Sequence, residues 1–561
     1  MKFSGLFKVS LVASALVLAG CGGDIKITPT VNDSSVKNSN NTTTTPTTPT
    51  TPDTGDGKVE NPCTKRTVAG NEVQGEFKAP HCVYDTNFAG KNLEIEENIT
   101  FKALANGGAH VFKGAIQMGK NCDTTLGCTI EKNGPTLNIE PGTTMAFTSG
   151  EAIVRIGRGA KINAIGTAEA PITFTSAKVY PDFDIAGTGA QFADWGGIMI
   201  NGFGLTNHCK NEQRAAGTCN AESEGIVSHF GGNDNADDSG SIKYANIWYA
   251  GSGPRDGGEG NDLNSLTLNA VGSKSSFEYL HIHQGFDDGI EFFGGAANIK
   301  HIVVTDTQDD GIDIDAGWKG NAQFILVKHG KVTTKTDVTY YDEDEKKLVT
   351  IPAGTEGYMG NNGFETDGEK NGGADYSEVP ASNPTIANVT VITTDGKSIR
   401  DNGSSQAIAF DDAIESTYYN TLFVKADASI NGTNCVQFKD VSAQKKAADG
   451  KIKFNNSVMA CVKQFKDGDT FNADAGSGSK AEWFANGGSS IILDNAQGVL
   501  SADGFSTNTA STEVTIQAND LTGEGLDKTF FEQVDYIGAV SDKDTSSPWY
   551  KWVQKSLAAI K

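Results

Sequence analysis

Two stretches of the chain crowd carboxylates together: "DDGIEFFGG" at residues 287–295 and "DDGIDIDAG" at residues 309–317. Like charges side by side cost free energy unless a cation or hydrogen-bond donors sit among them. The stretches align at an offset of 22 residues, Asp287 to Asp309. Stacked, they set Asp287 on Asp309, Asp288 on Asp310 and Glu291 on Asp313, with Asp306 and Asp315 close by. Several carboxylate oxygens in one place are what calcium takes as ligands. No histidine or cysteine joins the group, which argues against zinc or copper. The expected site is calcium held by Asp287, Asp288, Glu291, Asp309, Asp310 and Asp313. Two other readings stay open. Asp-Gly and Asn-Gly are turn formers, so the acids could be a ladder of hydrogen-bonded corners; or they could be catalytic carboxylates.

Acids 22 residues apart meet only if the chain coils, and the apolar residues keep the same offset. Phe277 falls over Ile299, Leu280 over Ile302, Ile282 over Val304 and Ile290 over Ile312. Leu266 and Leu268 take those places one coil earlier, and "NNGFE" at 361–365 repeats the acid turn with asparagines after an inserted segment. Short β-prone runs broken by Gly, Asn and Asp recur from about residue 130, in a chain with 66 glycines. Such a repeat predicts an all-β solenoid whose strands stack in parallel about 4.8 Å apart. The insertion "KVTTKTDVTYYDEDEKKLVTIPAGTEGY" reads as a polar hairpin beside the acids. His281 and His283 alternate with Ile282 and are expected to face solvent. Trp318 follows the second acid turn and is the candidate to stack on a sugar ring, with burial as the competing reading. "AEWF" and "SPWYKWVQKSLAAI" are expected to cover the last open coil.

The segments "GRGAKINAIGTAEAPITFTS", "DWGGIMINGFG", "LNSLTLNAVGS" and "DDGIEFFGGAANIKHIVV" carry a resemblance. They are similar to bacterial outer-membrane lipoproteins built on a right-handed parallel β-helix of the pectate-lyase-like kind, often encoded beside TonB-dependent transport genes. The likeness covers roughly residues 130–420 and the later "FFEQVDYIGAV". It implies a right-handed parallel β-helix, taken here as residues 62–480, with a C-terminal capping region at 481–561. Calcium-dependent pectate lyases hold their metal with D-D-x-x-D and an aspartate of the preceding coil; Asp309, Asp310, Asp313 and Asp287 resemble that set. Their lysine base would be sought at Lys328, Lys331, Lys370 or Lys397, none in a recognisable context. Polygalacturonases use three aspartates, which Asp288, Asp309 and Asp310 resemble, but His329 and Arg400 lack the flanking residues of that family.

The opening of the chain carries export features. Lys2 and Lys8 precede a short apolar run, and "LAGC" looks like a bacterial lipobox, so residues 1–20 are expected to be a signal peptide and Cys21 the lipidated anchor. Gly22 after that cysteine implies, by the same resemblance, the outer membrane. Residues 21–61, rich in Thr, Pro and Asn, read as a linker with little to bury. Eight further cysteines fall into four local couples, expected as Cys63–Cys82, Cys122–Cys128, Cys209–Cys219 and Cys435–Cys461 in an oxidising compartment. The net charge of −24 argues against a nucleic-acid partner, and against an acidic polymer unless a cation bridges the two. Two functions follow. The first is a surface-exposed envelope lipoprotein whose calcium-bearing β-helix binds an extracellular ligand such as a polysaccharide, with a TonB-dependent transporter as partner. The alternative is a calcium-dependent polysaccharide lyase or glycoside hydrolase acting on acidic glycans. Whether the protein is an enzyme stays open.

Overall fold

The computed structural model describes residues 60–252, 263–342, 347–358, 360–369, 381–394, 398–399, 405–425 and 434–560. Cys21, Lys370, Lys397 and Arg400 lie outside the described residues.

The chain winds as a parallel β-helix. One wall is a sheet of ten strands among the described residues, running Glu94–Ile95, Ile116–Met118, Ile153–Ile156, Gly197–Asn201, Leu266–Asn269, Ile290–Phe293, Ile312–Asp315, Asn362–Asp367, Gln406–Asp411 and Val436–Phe438. Its register is the sequence offset made physical: Leu266 pairs Ile290, Ile290 pairs Ile312 and Ile312 pairs Phe364. Alternate residues point inward, so Leu266, Ile290, Ile312, Phe364, Ile408 and Val436 form one buried ladder. Each such side chain contributes about 1.5–3 kcal/mol of burial.

The remaining walls belong to a second parallel sheet, whose longest strands are Gly240–Trp248, Ser276–His283, Asn298–Thr305, Asn321–Lys328 and Thr385–Thr393. Each of these bends in mid-strand at a non-glycine residue with positive φ: Tyr244 (49°), Tyr279 (54°), His301 (58°), Phe324 (59°) and Asn388 (53°). The next coils turn at Asn420 (53°) and Asn456 (50°). Asparagine tolerates this left-handed conformation, whereas large rings rarely adopt it. Here the rings stack on one another, with centroids 4.3 Å apart for Tyr244–Tyr279, 4.2 Å for Tyr279–His301 and 5.0 Å for His301–Phe324. Stacking offsets the backbone strain.

Three expectations are corrected. Trp318 is fully buried inside the coil, stacked on Phe292 at 4.0 Å and donating from Nε1 to the Ala297 carbonyl at 3.0 Å. It is core and meets no ligand, because its chain turns inward after Asp315. His281 and His283 do not face solvent. Alternation turns them off the inner face, but Trp248 and Thr305 close over them: Trp248 Nε1 donates to His281 Nδ1 at 3.1 Å, and Thr305 Oγ1 lies 3.1 Å from His281 Nε2 and 3.0 Å from His283 Nδ1. The C-terminal helix Pro548–Ala559 does not cover the last coil. It lies on the flank of the middle coils, with Trp552 Nε1 donating to the Leu280 carbonyl at 3.5 Å and Lys555 Nζ to the Ala168 carbonyl at 2.7 Å. Val303, Leu326 and Ile392 are apolar on the outer side of the sheet, and this strap buries them. The "AEWF" segment does close the end: Trp483 packs on Phe438 at 5.3 Å and Phe484 on Phe454 at 4.9 Å.

All four expected disulfides are present, Cys63–Cys82, Cys122–Cys128, Cys209–Cys219 and Cys435–Cys461, with Cα–Cα distances of 5.4, 5.5, 5.6 and 6.3 Å. Cys435–Cys461 ties late coils together.

Candidate metal centre

Three successive coils enter the ten-stranded wall through the same turn, and the side chain at its second position holds the next coil. Asn264 Oδ1 accepts from the Asp288 amide at 3.0 Å, Asp288 Oδ1 from the Asp310 amide at 2.8 Å, and Asp310 Oδ1 from the Asn362 amide at 2.6 Å. The glycine that follows is forced by close approach. A Cβ on Gly289 would stand 2.4 Å from the Gly311 carbonyl oxygen, and one on Gly311 would stand 2.7 Å from both the Gly363 carbonyl oxygen and Val327 Cγ1. Asp288 and Asp310 thus each give one oxygen to a turn ladder. It leaves the second oxygens and the strand acids unexplained.

Those acids stand in two columns on the outer face of the wall. Glu291, Asp313 and Glu365 are in register on successive strands, as are Asp367 and Asp411, and Asp315 ends the strand beside the one that Asp367 ends. Oxygens of Asp287, Asp288 and Asp309 lie within 4.8 Å of one another, and so do oxygens of Asp288, Glu291 and Asp313. Asp288 belongs to both groups. Asp310 belongs to neither: it is buried and serves the ladder. Asn264 Nδ2 donates to Glu291 Oε2, whereas Asp313 Oδ1 is buried without a hydrogen-bond partner.

The sequence reading missed a second assembly. Glu365, Asp367 and Asp411 bring oxygens within 4.8 Å, as do Asp411, Asp412 and Asp440. Asp367 Oδ1 is also buried and without a partner. The signal was present: "NNGFETD" continues the offset, so Glu365 falls over Asp313 and Asp367 over Asp315. The insertion before it hid the period. Lys439 ion-pairs with Glu365 at this end of the face.

Burial pushes Asp288, Glu291, Asp310, Asp313 and Asp367 well above the usual carboxylate range, and neighbouring carboxylates push further. For Glu291 the strongest such push comes from Glu224. Asp411 is raised to about 6, mainly by burial. The excursion pinned by Cys209–Cys219 packs on Phe293 and Ala316 and walls one side of the face; its His208 Nε2 stands 4.0 Å from Asp315 Oδ2. The hairpin insertion is real, pairing Val338–Asp342 with Lys347–Ile351. Its Tyr340 packs on Phe286, the residue before Asp287, at 5.1 Å.

The base candidates fare poorly. Lys331 is tied to Glu356 at 2.6 Å within the insertion. His329 is buried, with Nδ1 3.0 Å from Ser405 Oγ, and burial lowers it to about 4. What the face offers is oxygen ligands in close groups, which suits a hard divalent cation and could repay the repulsion among them.

Residues 115–490 match the family model described as a pectate-lyase like beta helix domain. No curated protein and no solved structure gives a match.

Proposed function

Since the chain belongs to the pectate-lyase-like β-helix family, we propose that it is a calcium-binding β-helix that holds an extracellular polysaccharide on its acid face. The observation that carries this is Asp288, shared by two groups of three carboxylates, together with the buried, unpartnered Asp313 Oδ1. Asp287, Asp288 and Asp309, and Asp288, Glu291 and Asp313, are the ligands proposed. Bound calcium supplies the positive charge that lets a face this acidic meet an acidic glycan. Cys21 is proposed to anchor the body to the outer membrane through lipid, and a TonB-dependent transporter to take up what it captures.

A second reading, a calcium-dependent lyase or hydrolase, draws on Lys439, a base standing at the acid face beside Glu365. One experiment separates the readings. Polygalacturonate and alginate are incubated with the protein and calcium, following retention of the polymer, absorbance of unsaturated product from a lyase, and new reducing ends from a hydrolase. Calcium-dependent retention with neither new absorbance nor new reducing ends supports binding; a rise in absorbance or in reducing ends, lost in Lys439→Ala, supports the lyase or the hydrolase. Neither retention nor product, in calcium or in chelator, sinks both.

A further inference from the structure

A cavity of about 280 Å³ lies between the aromatic column at the bend and the C-terminal strap, away from the acid face. Its floor includes Tyr279, His301, Phe324 and Trp549, and its rim Glu532, Asp544 and Ser547. A second cavity of about 510 Å³ shares Val534, Asp535 and Tyr536 with it, so the two are neighbours. His301 is 7 % exposed and its Nδ1 is buried without a hydrogen-bond partner. Leaving such a group unpaired costs about 1–3 kcal/mol. Its positive φ, 58°, is the bend shared by the neighbouring coils, which is what aligns Tyr279, His301 and Phe324 in one column beneath the cavity.

The lining chooses among ligand classes. Glu532 is paired to Lys300 and Asp535 to Lys543, each at 2.7 Å, so no cation of the lining is left over for an anion and Asp544 repels one. An organic cation gains most over an open ring face, and two of the three carboxylates of the lining already hold lysines. The faces of His301 are covered by Tyr279 and Phe324, nearly parallel at 16° and 13°. The column therefore presents edges, the positive rim of each ring, which favour electronegative oxygen. Burial lowers His301 to about 3, so its imidazole is neutral and can exchange hydrogen bonds with a hydroxyl. The carboxylates and Ser547 accept from further hydroxyls. We propose that this flank cavity is a binding site for a neutral sugar, about one or two rings in size, independent of calcium.

The test uses the full chain with methyl glycosides of glucose, galactose, mannose and N-acetylglucosamine, with glucuronate and choline as charged controls. Saturation-transfer NMR and tryptophan fluorescence report binding. At least one neutral glycoside should bind saturably, equally in calcium and in chelator, and more tightly than either control. His301→Asn keeps a residue suited to the left-handed bend, as Asn388 and Asn420 show, while removing the ring. It should weaken binding about tenfold, as loss of a hydrogen bond and a packed ring would. Asp544→Asn, on the exposed rim, guards against misfolding of that variant and should weaken binding about threefold. No saturable response to any neutral glycoside up to about 50 mM, where even a millimolar Kd would show, overturns the proposal. So does binding unchanged in both variants, or tighter binding of glucuronate or choline.

Discussion

At the residue scale the acid turns do two jobs with two oxygens. Asp288 gives one oxygen to the Asp310 amide and turns the rest of its carboxylate towards Asp287, Asp309, Glu291 and Asp313. Asparagine would keep the ladder bond and lose the charge. Asp288→Asn should therefore fold. In chelator it should melt higher than the parent, because a buried, repelled carboxylate has been removed. Its calcium affinity should fall about tenfold or more, equivalent to about 1.4 kcal/mol. Calorimetric titration and melting with and without calcium read both effects. Equal calcium responses in variant and parent would reduce the acids to turn formers.

At the element scale the stacking of coils depends on bare backbone at the acid turns. Gly311→Ala places a methyl 2.7 Å from the Gly363 carbonyl oxygen, so coils must move apart locally. Overpacking of this kind costs about 1–3 kcal/mol, and a chemical denaturation series should show it. The C-terminal helix is the other element whose placement matters. It seals apolar residues on the outer side of the second sheet, and Trp552 is 3 % exposed there, edge-on to Tyr244 at 5.6 Å. Trp552→Ala should cost about 3–5 kcal/mol and increase proteolysis within residues 500–560. An unchanged melting point would mean the strap contributes little to the body.

For the molecule as a whole, the acid face sets a pH dependence. The buried carboxylates have folded pKa values above their unfolded ones, so between those values the folded chain binds more protons than the unfolded chain. Stability then falls as pH rises through the window. Asp306 and Asp411, each raised to about 6 mainly by burial, place part of that window between pH 4 and 6, and the still higher Asp288, Glu291, Asp310, Asp313 and Asp367 extend it upward. In chelator the melting temperature should decline from pH 5 to pH 8. Calcium, binding the deprotonated folded state, should flatten the decline. A melting temperature that rises with pH in chelator would contradict the burial of these acids.

The sequence by itself determined the coil and its register. Offset repetition is a local property of the text, and once Ile290 sits on Ile312 every residue of the two coils is placed, Asp288 over Asp310 and Glu291 over Asp313 included. It also suggested the four disulfides, since each couple is near in sequence, although eight cysteines allow 105 pairings and the folded chain selects this one. The tertiary structure decided what depends on contacts between distant segments. Whether Trp318 or His281 meets solvent turns on what lies over it, and neighbours such as Phe292 and Trp248 are 26 and 33 residues away. The second acid group was hidden because an insertion broke the period while the fold kept Phe364 paired with Ile312. The path of the strap was beyond reach for the same reason: an amphipathic segment shows that it must cover something apolar, and only the folded body shows which face was left open.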